Sequence, residues 1–178
     1  FVSRHEMMRF RQLIVNVVLA TDIFDKDIGD LRKARWQRAF HGDGSLPPTL
    51  VNDLRATIVM EHIIQASDVS HTMQHWHVYQ KWNHKLFNEL YQAWKNGRMG
   101  ADPRTFWYKG ELGFFDNYII PLANKLKECN VFGVSSDEYL GYALRNRAEW
   151  EERGEQIMQK MIEECETSEH SSHKERSE

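Results

Sequence analysis

The sequence predicts an all-α protein. Apolar residues recur at three- and four-residue spacing along nearly the whole chain, and no stretch keeps the period-two alternation of a half-buried strand. Turn-forming residues gather instead in two loops, at 41–48 and 96–103. With 178 residues, the chain is long enough for one domain with a sizeable core and too short for two.

The elements follow in order. A first helix is expected over residues 4–23, apolar nearly all round from Leu13 to Ala20, which is the pattern of a buried core helix. A charged helical stretch over 31–40 precedes the first loop. Thr49 or Asn52 is placed to cap the next helix, with Leu54, Ile58, Val59, Ile63 and Ala66 on its inner side. A long amphipathic helix carries Tyr79, Trp82, Leu86, Leu90 and Ala93 on one stripe. Leu112, Phe115, Ile119, Leu122 and Leu126 mark a third core helix. Residues 131–136 form a short turn, and Ser136 is placed to cap a final helix ending near Glu164. The main domain is therefore expected over 1–164, with a disordered polar tail over 165–178. The chain opens on Phe1 and enters a helix almost at once, which reads as an excised piece.

Composition excludes several classes. A net charge of -3 argues against a nucleic-acid partner. No apolar stretch reaches membrane-spanning length and no signal-peptide pattern is present, so this segment is expected to make no membrane contact. Cys129 and Cys165 stand far apart outside any Cys-x-x-Cys pattern, which suits inert thiols in a reducing, intracellular and cytoplasmic setting.

Two aspartates are out of place. Asp22 closes the apolar run from Leu13, and Asp68 follows a second run from Ile58. A helix C-terminus carries the negative end of the macrodipole and disfavours an anion. Apolar neighbours imply burial, so each carboxylate is expected to be paired, protonated or held by a cation. The histidines His71 and His75 are four apart, but the zincin motif needs Glu directly after the first, and Thr72 stands there. That pair is read as a solvated helix start, and the pairs Glu151-Glu152 and Glu163-Glu164 as solvated helix faces.

The segment Ala66-Ser67-Asp68-Val69-Ser70-His71, with Tyr79 and Trp82 beyond it, resembles the Cys-Ala-Asp-Leu-Ser-Asn segment of class I 3′,5′-cyclic-nucleotide phosphodiesterases. Val18-Leu19-Ala20-Thr21-Asp22 resembles that family's Met-Val-Leu-Ala-Thr-Asp helix, and Lys109-Gly110-Glu111-Leu112-Gly113-Phe114-Phe115-Asp116 its Lys-Ser-Gln-Val-Gly-Phe-Ile-Asp segment. The spacing of 46 positions between Asp22 and Asp68 also agrees with the family. The resemblance implies a compact multi-helix bundle of HD-domain-like type. It implies a metal-dependent enzyme that hydrolyses cAMP, cGMP or both to 5′-monophosphates in signal transduction. A two-metal mechanism would use zinc with magnesium or manganese about 4 Å apart.

By the same resemblance Asp68 is a metal ligand, and Thr21 and Asp22 are catalytic residues lining the metal and phosphate pocket, usually through water. Phe114 would stack on the purine, Glu111 would read the base edge, and His71, Tyr79 and Trp82 would complete the substrate site. The sequence departs from the family in three ways. The two histidine motifs that supply the general acid and most metal ligands precede the matched region and are missing here, so the N-terminal half of the domain is a missing partner and this chain alone is expected to be inactive, with apolar surface exposed. Glu111 replaces a glutamine, and His71 replaces an asparagine. A carboxylate only accepts unless protonated, which tilts the expectation towards cyclic GMP. The rival expectations are a non-catalytic cyclic-nucleotide sensor and a purely structural helical domain. Regulatory domains and membrane anchoring of the parent are left open.

Overall fold

The computed structural model describes residues 3–23, 25–42 and 44–175, except the side chains of Ser136 and of 168–175. The described residues form helices and no strand, as the sequence predicts. They divide into two compact units, residues 1–70 with 125–133 and residues 71–124 with 134–178.

In the first unit, α1 (Arg4–Ala20) starts at a reciprocal cap. The Ser3 hydroxyl accepts from the Glu6 N–H at 3.2 Å, and the Glu6 carboxylate accepts from the Ser3 N–H at 3.0 Å. The helix stops at Ala20, where the Thr21 hydroxyl turns back to donate to the Val18 carbonyl at 2.8 Å. Next comes α2 (Lys26–Phe40), capped by the Asp25 carboxylate on the Ile28 N–H at 3.0 Å. The third helix, α3 (Pro48–Asp68), is capped by neither Thr49 nor Asn52. Pro47 holds the cap position and Pro48 the first helical turn, where a missing N–H leaves nothing unsatisfied. Trp36, Ala39 and Ile58 form the core with Phe40, Leu54 and Cys129 against them, and the Trp36 and Phe40 rings stack at 4.3 Å.

Two expectations change here. The first helix is not buried: Ala20 is its one buried residue, while Met8 is 55% and Val18 62% exposed. A helix that is apolar all round has more apolar surface than the neighbour it packs on, α3, can cover. In α3 the buried side is Ile58 with three polar residues, Glu61, His62 and Gln65, whereas Leu54, Val59, Ile63 and Ala66 are half-buried. Each polar group has a partner, as burial demands. Arg35 donates to the Glu61 carboxylate at 2.7 Å, the His62 Nδ1–H to the Ile58 carbonyl at 2.7 Å, and Gln65 to the Ala20 carbonyl at 2.8 Å.

The second unit begins after a 3₁₀ turn at Ser70–Met73 with α4 (Trp76–Lys95). Its buried line is Tyr79, Asn83, Phe87 and Tyr91; of the expected stripe only Tyr79 is buried, and Trp82 and Leu86 are 48% and 45% exposed. The three aromatic rings of this line, Tyr79, Phe87 and Tyr91, bury large apolar areas, which favours turning this face inward. Then α5 (Trp107–Phe114) passes through a π-turn at Phe115–Ile119 into α6 (Ile120–Glu128), the last four residues of which belong to the first unit. Pro121 lies just beyond the π-turn, and the wider turn relieves the clash its ring would make with the carbonyl four residues back. Of the expected line, Phe115, Ile119, Leu122 and Leu126 are buried and Leu112 is half-buried.

The last helix, α7 (Ser135–Glu175), continues past residue 164. The Ser136 side chain, proposed as its cap, the side chains of 168–175 and residues 176–178 lie outside the described residues, and the backbone of the expected disordered tail is helical over 165–175. Trp150 is fully buried on α7 and donates to the Tyr108 carbonyl at 3.1 Å. Asn146 donates to the Thr72 and Gln74 carbonyls at 2.9 and 2.8 Å and pins the 3₁₀ turn.

Burial lowers the His62 pKa to about 4, with smaller contributions in the same direction from Lys125, Arg32 and Arg35. The unfolded chain, at about 6.5, then binds a proton that the folded state refuses. This stability is complete above pH 6.5 and is lost as pH falls towards 4, on the order of 3 kcal/mol in all. Urea denaturation at pH 7.5, 5.5 and 4.5 should show this fall, and His62→Leu should flatten it; an equally steep fall in the variant would assign the effect elsewhere.

Candidate functional site

Three of the sequence-predicted residues lie in the first unit. Thr21 caps α1, and Asp22 follows it. The Asp22 carboxylate accepts from the Asp25 N–H at 3.2 Å, so the same short turn ends one helix and starts the next. Asp68 is the last residue of α3. Both carboxylates thus sit at helix C-terminal ends as expected, but both are exposed, as is Thr21. Burial was inferred from apolar sequence neighbours, but Val18 and Leu19 before Asp22 are themselves exposed, and Ile63, Ile64 and Ala66 before Asp68 are half-buried. Water therefore already compensates the unfavourable dipole.

Among the described residues no three His, Cys, Asp or Glu side chains converge as a metal site. An aspartate offers one or two oxygens, and a catalytic zinc needs at least three protein ligands. The described chain alone does not fit the metal pair that the resemblance implies.

The remaining residues lie in the second unit, where the structure brings two of them together. The Tyr79 hydroxyl donates to Glu111 Oε2 at 2.7 Å. Asn83 Nδ2 donates to the Tyr79 oxygen at 3.2 Å, and the Trp107 indole N–H donates to Asn83 Oδ1 at 3.3 Å. An indole can only donate, so Trp107 sets the direction of the whole chain. Asn83 must present its carbonyl to Trp107 and its amino group to Tyr79, and the Tyr79 proton is left for Glu111. The Tyr79 ring is held by the edges and faces of Phe115 and Trp150, at centroid distances of 5.2 and 6.0 Å.

Burial raises the Glu111 pKa, opposed by the hydrogen bonds from Tyr79 and Asn83. Burial, then the nearby Glu111 charge, pushes the Tyr79 hydroxyl well above its ordinary value, so it stays a donor. Asn83 and Trp107 were not singled out from the sequence. The available signal was a polar residue four positions after Tyr79 on an aromatic line, which demands a buried partner.

Phe114 is half-buried and stacks on Tyr118 at 5.4 Å, three residues along the helix from Glu111. Trp82 lies at the surface with the Lys85 amine 4.7 Å above its ring and His71 at 6.4 Å. His71 and His75 do not share a helix face. His71 is in the 3₁₀ turn, while His75 precedes α4 and pairs through Nε2 with the Tyr142 hydroxyl at 3.0 Å.

A family model described as 3′5′-cyclic nucleotide phosphodiesterase matches residues 1–134. The chain belongs to this family. A relative from Caenorhabditis elegans, named "Probable 3′,5′-cyclic-AMP phosphodiesterase pde-4", is 24% identical over 131 residues, covering 68% of this chain. The match spans 19% of that relative's own length. No solved structure matches the chain. The phosphodiesterase-family match includes both aspartates and the whole donor chain ending at Glu111.

Replacing Tyr79 by Phe removes the donor to Oε2 and leaves burial less opposed. The Glu111 carboxyl should titrate at higher pH in that variant, followed by the NMR shift of its side-chain carbon, and stability should drop by about 1–2 kcal/mol. An unchanged titration would mean that Tyr79 does not hold Glu111.

Proposed function

We propose that this chain is the C-terminal part of the catalytic domain of an enzyme that hydrolyses a 3′,5′-cyclic nucleotide, cAMP, cGMP or both, to the 5′-monophosphate. The observation that carries the proposal is the directed chain Trp107–Asn83–Tyr79–Glu111 within a family-matched segment. It holds one carboxyl group in a fixed attitude one helical turn from Phe114, and a planar heterocycle needs that pairing of polar and aromatic groups. Phe114 stacks on the base, Glu111 reads its edge, Tyr79 positions Glu111, and His71 and Trp82 border the substrate. Asp68 would contribute an oxygen to zinc, whose other ligands, and those of a magnesium or manganese partner, would come from outside this chain. Thr21 and Asp22 act on the phosphate side through water.

The setting is proposed to be cytoplasmic, where thiols stay reduced. Burial pushes the Cys129 thiol up to about 11, which suits an inert residue. No helix among the described residues is long and apolar enough to cross a membrane.

Assays of the purified chain beside the full-length protein test the proposal. Hydrolysis is expected from the full-length protein and none above background from this chain. Turnover by the chain at the full-length rate would show that no outside ligand is needed, and nucleotide binding without turnover by the full-length protein would make it a sensor.

Glu111 bears on the choice of base. Tyr79 and Asn83 take part of the acceptor capacity of Glu111, and of the roughly four lone-pair sites of a carboxylate others remain to accept. An ionised carboxylate can then accept from both N1–H and N2–H of guanine but from the single amino group of adenine. In the full-length protein Glu111→Gln should lower the ratio of kcat/KM for cyclic GMP over cyclic AMP by about tenfold, the worth of one such bond. An unmoved ratio would remove Glu111 from base selection.

A further inference from the structure

The carbonyl oxygen of Ala20, at the end of α1, is met by two donors from two other helices. Gln65 Nε2 on α3 reaches it at 2.8 Å, and Arg32 Nη1 on α2 also at 2.8 Å. The second nitrogen of the same guanidinium, Nη2, donates to the carbonyl of Asp22 at 2.7 Å. The planar fork of Arg32 therefore brackets Thr21, holding the carbonyls on either side of it. Its Nε is directed to the Ile28 carbonyl one turn back on α2, which fixes the fork's own orientation. Ala20 and Gln65 are 2% and 5% exposed, so the hydrogen bond between them is shielded from competing water.

We propose that Arg32 and Gln65 are positioning residues that fix the turn bearing Thr21 and Asp22 relative to α3, and through it to Asp68. Gln65 lies three residues before Asp68 on the same helix. One side chain thus ties the end of α1 to the terminal turn of α3, and both carboxylates lean on a single shared constraint. The bonds from Asp22 to the Leu19 carbonyl and from the Asp25 N–H to Asp22 lie within the turn, whereas those from Arg32 and Gln65 tie it to α2 and α3. The catalytic consequence rests on the assignment of Asp22 to the phosphate side of the site; the mechanical one does not.

Two readouts in the full-length protein keep these apart. Hydrogen–deuterium exchange reports the clamp itself. Gln65→Leu and Arg32→Met should speed exchange at the amides of residues 21–25 while leaving α4 and α5 unchanged. Unchanged exchange at 21–25 would overturn the proposal whatever the activity. Hydrolysis reports the consequence: each variant should lower kcat on the order of tenfold with KM little changed, and Arg32→Lys should recover part of the loss. In an Asp22→Asn background, Gln65→Leu should cause almost no further loss, because its effect runs through Asp22. Additive losses there would mean a merely structural role and would overturn the positioning assignment. If Arg32→Met does not fold, Arg32→Lys and Gln65→Leu carry both tests. If the full-length protein hydrolyses no cyclic nucleotide, the functional proposal falls, and exchange still decides the clamp.

Discussion

A polar side chain withdrawn from water must be met by a partner, and both units are organised around that demand. In the first, Glu61, His62 and Gln65 share the buried side of α3 with Ile58. Their partners come from α2, from α3's own backbone and from the end of α1, so the three helices are located by what those groups require. In the second, Asn83 sits in a line of buried aromatics, and satisfying it draws Trp107 and Tyr79 into one directed chain. Hydrophobic burial supplies the driving force in both units, but it is non-directional. The buried polar groups select which face turns inward.

The charges of the first unit follow the same logic. Glu61 is almost fully withdrawn from water, and Arg35 meets it while remaining a third exposed. That asymmetry keeps the desolvation of the cation small while the anion gains a charge-assisted bond. The Lys125 amine lies 5.3 Å from the Trp36 ring, and burial lowers its pKa. Burial keeps the His62 imidazole neutral, and positive potential from Lys125 and Arg32 adds to that effect. The core of this unit therefore tolerates cations at its margin and refuses one at its centre.

How much of this was legible in the sequence depends on the interaction. The helical class and the buried line Phe115, Ile119, Leu122, Leu126 follow from spacing alone, because period is a local property. The inward faces of α3 and α4 were misjudged for one reason: hydropathy assigns Glu61, His62, Gln65 and Asn83 to solvent, whereas each has a partner distant in sequence or satisfied by its own helix. The length of apolar α1 was visible, but not that the helix it packs on would cover only part of it. Thr21, Asp22, Asp68, Glu111 and Phe114 were singled out by motif. The bond from Tyr79 to Glu111 joins positions 32 apart and leaves no local trace.

The two aspartates show where an electrostatic argument needs burial as well as sequence. A carboxylate at a helix C-terminus is disfavoured only while the field there goes unscreened, and at an exposed turn water weakens it and salt screens it over about 8–10 Å. Asp22 and Asp68 are exposed, so their placement does not by itself demand a cation. Their environments also differ: Asp22 has its carboxylate engaged by the Asp25 N–H and its carbonyl by Arg32, and Asp68 simply ends its helix. A direct metal ligand must have its oxygens available, and a residue acting through water must be held still. The restraint on Asp22 and the exposure of Asp68 are what the two roles proposed for them would require.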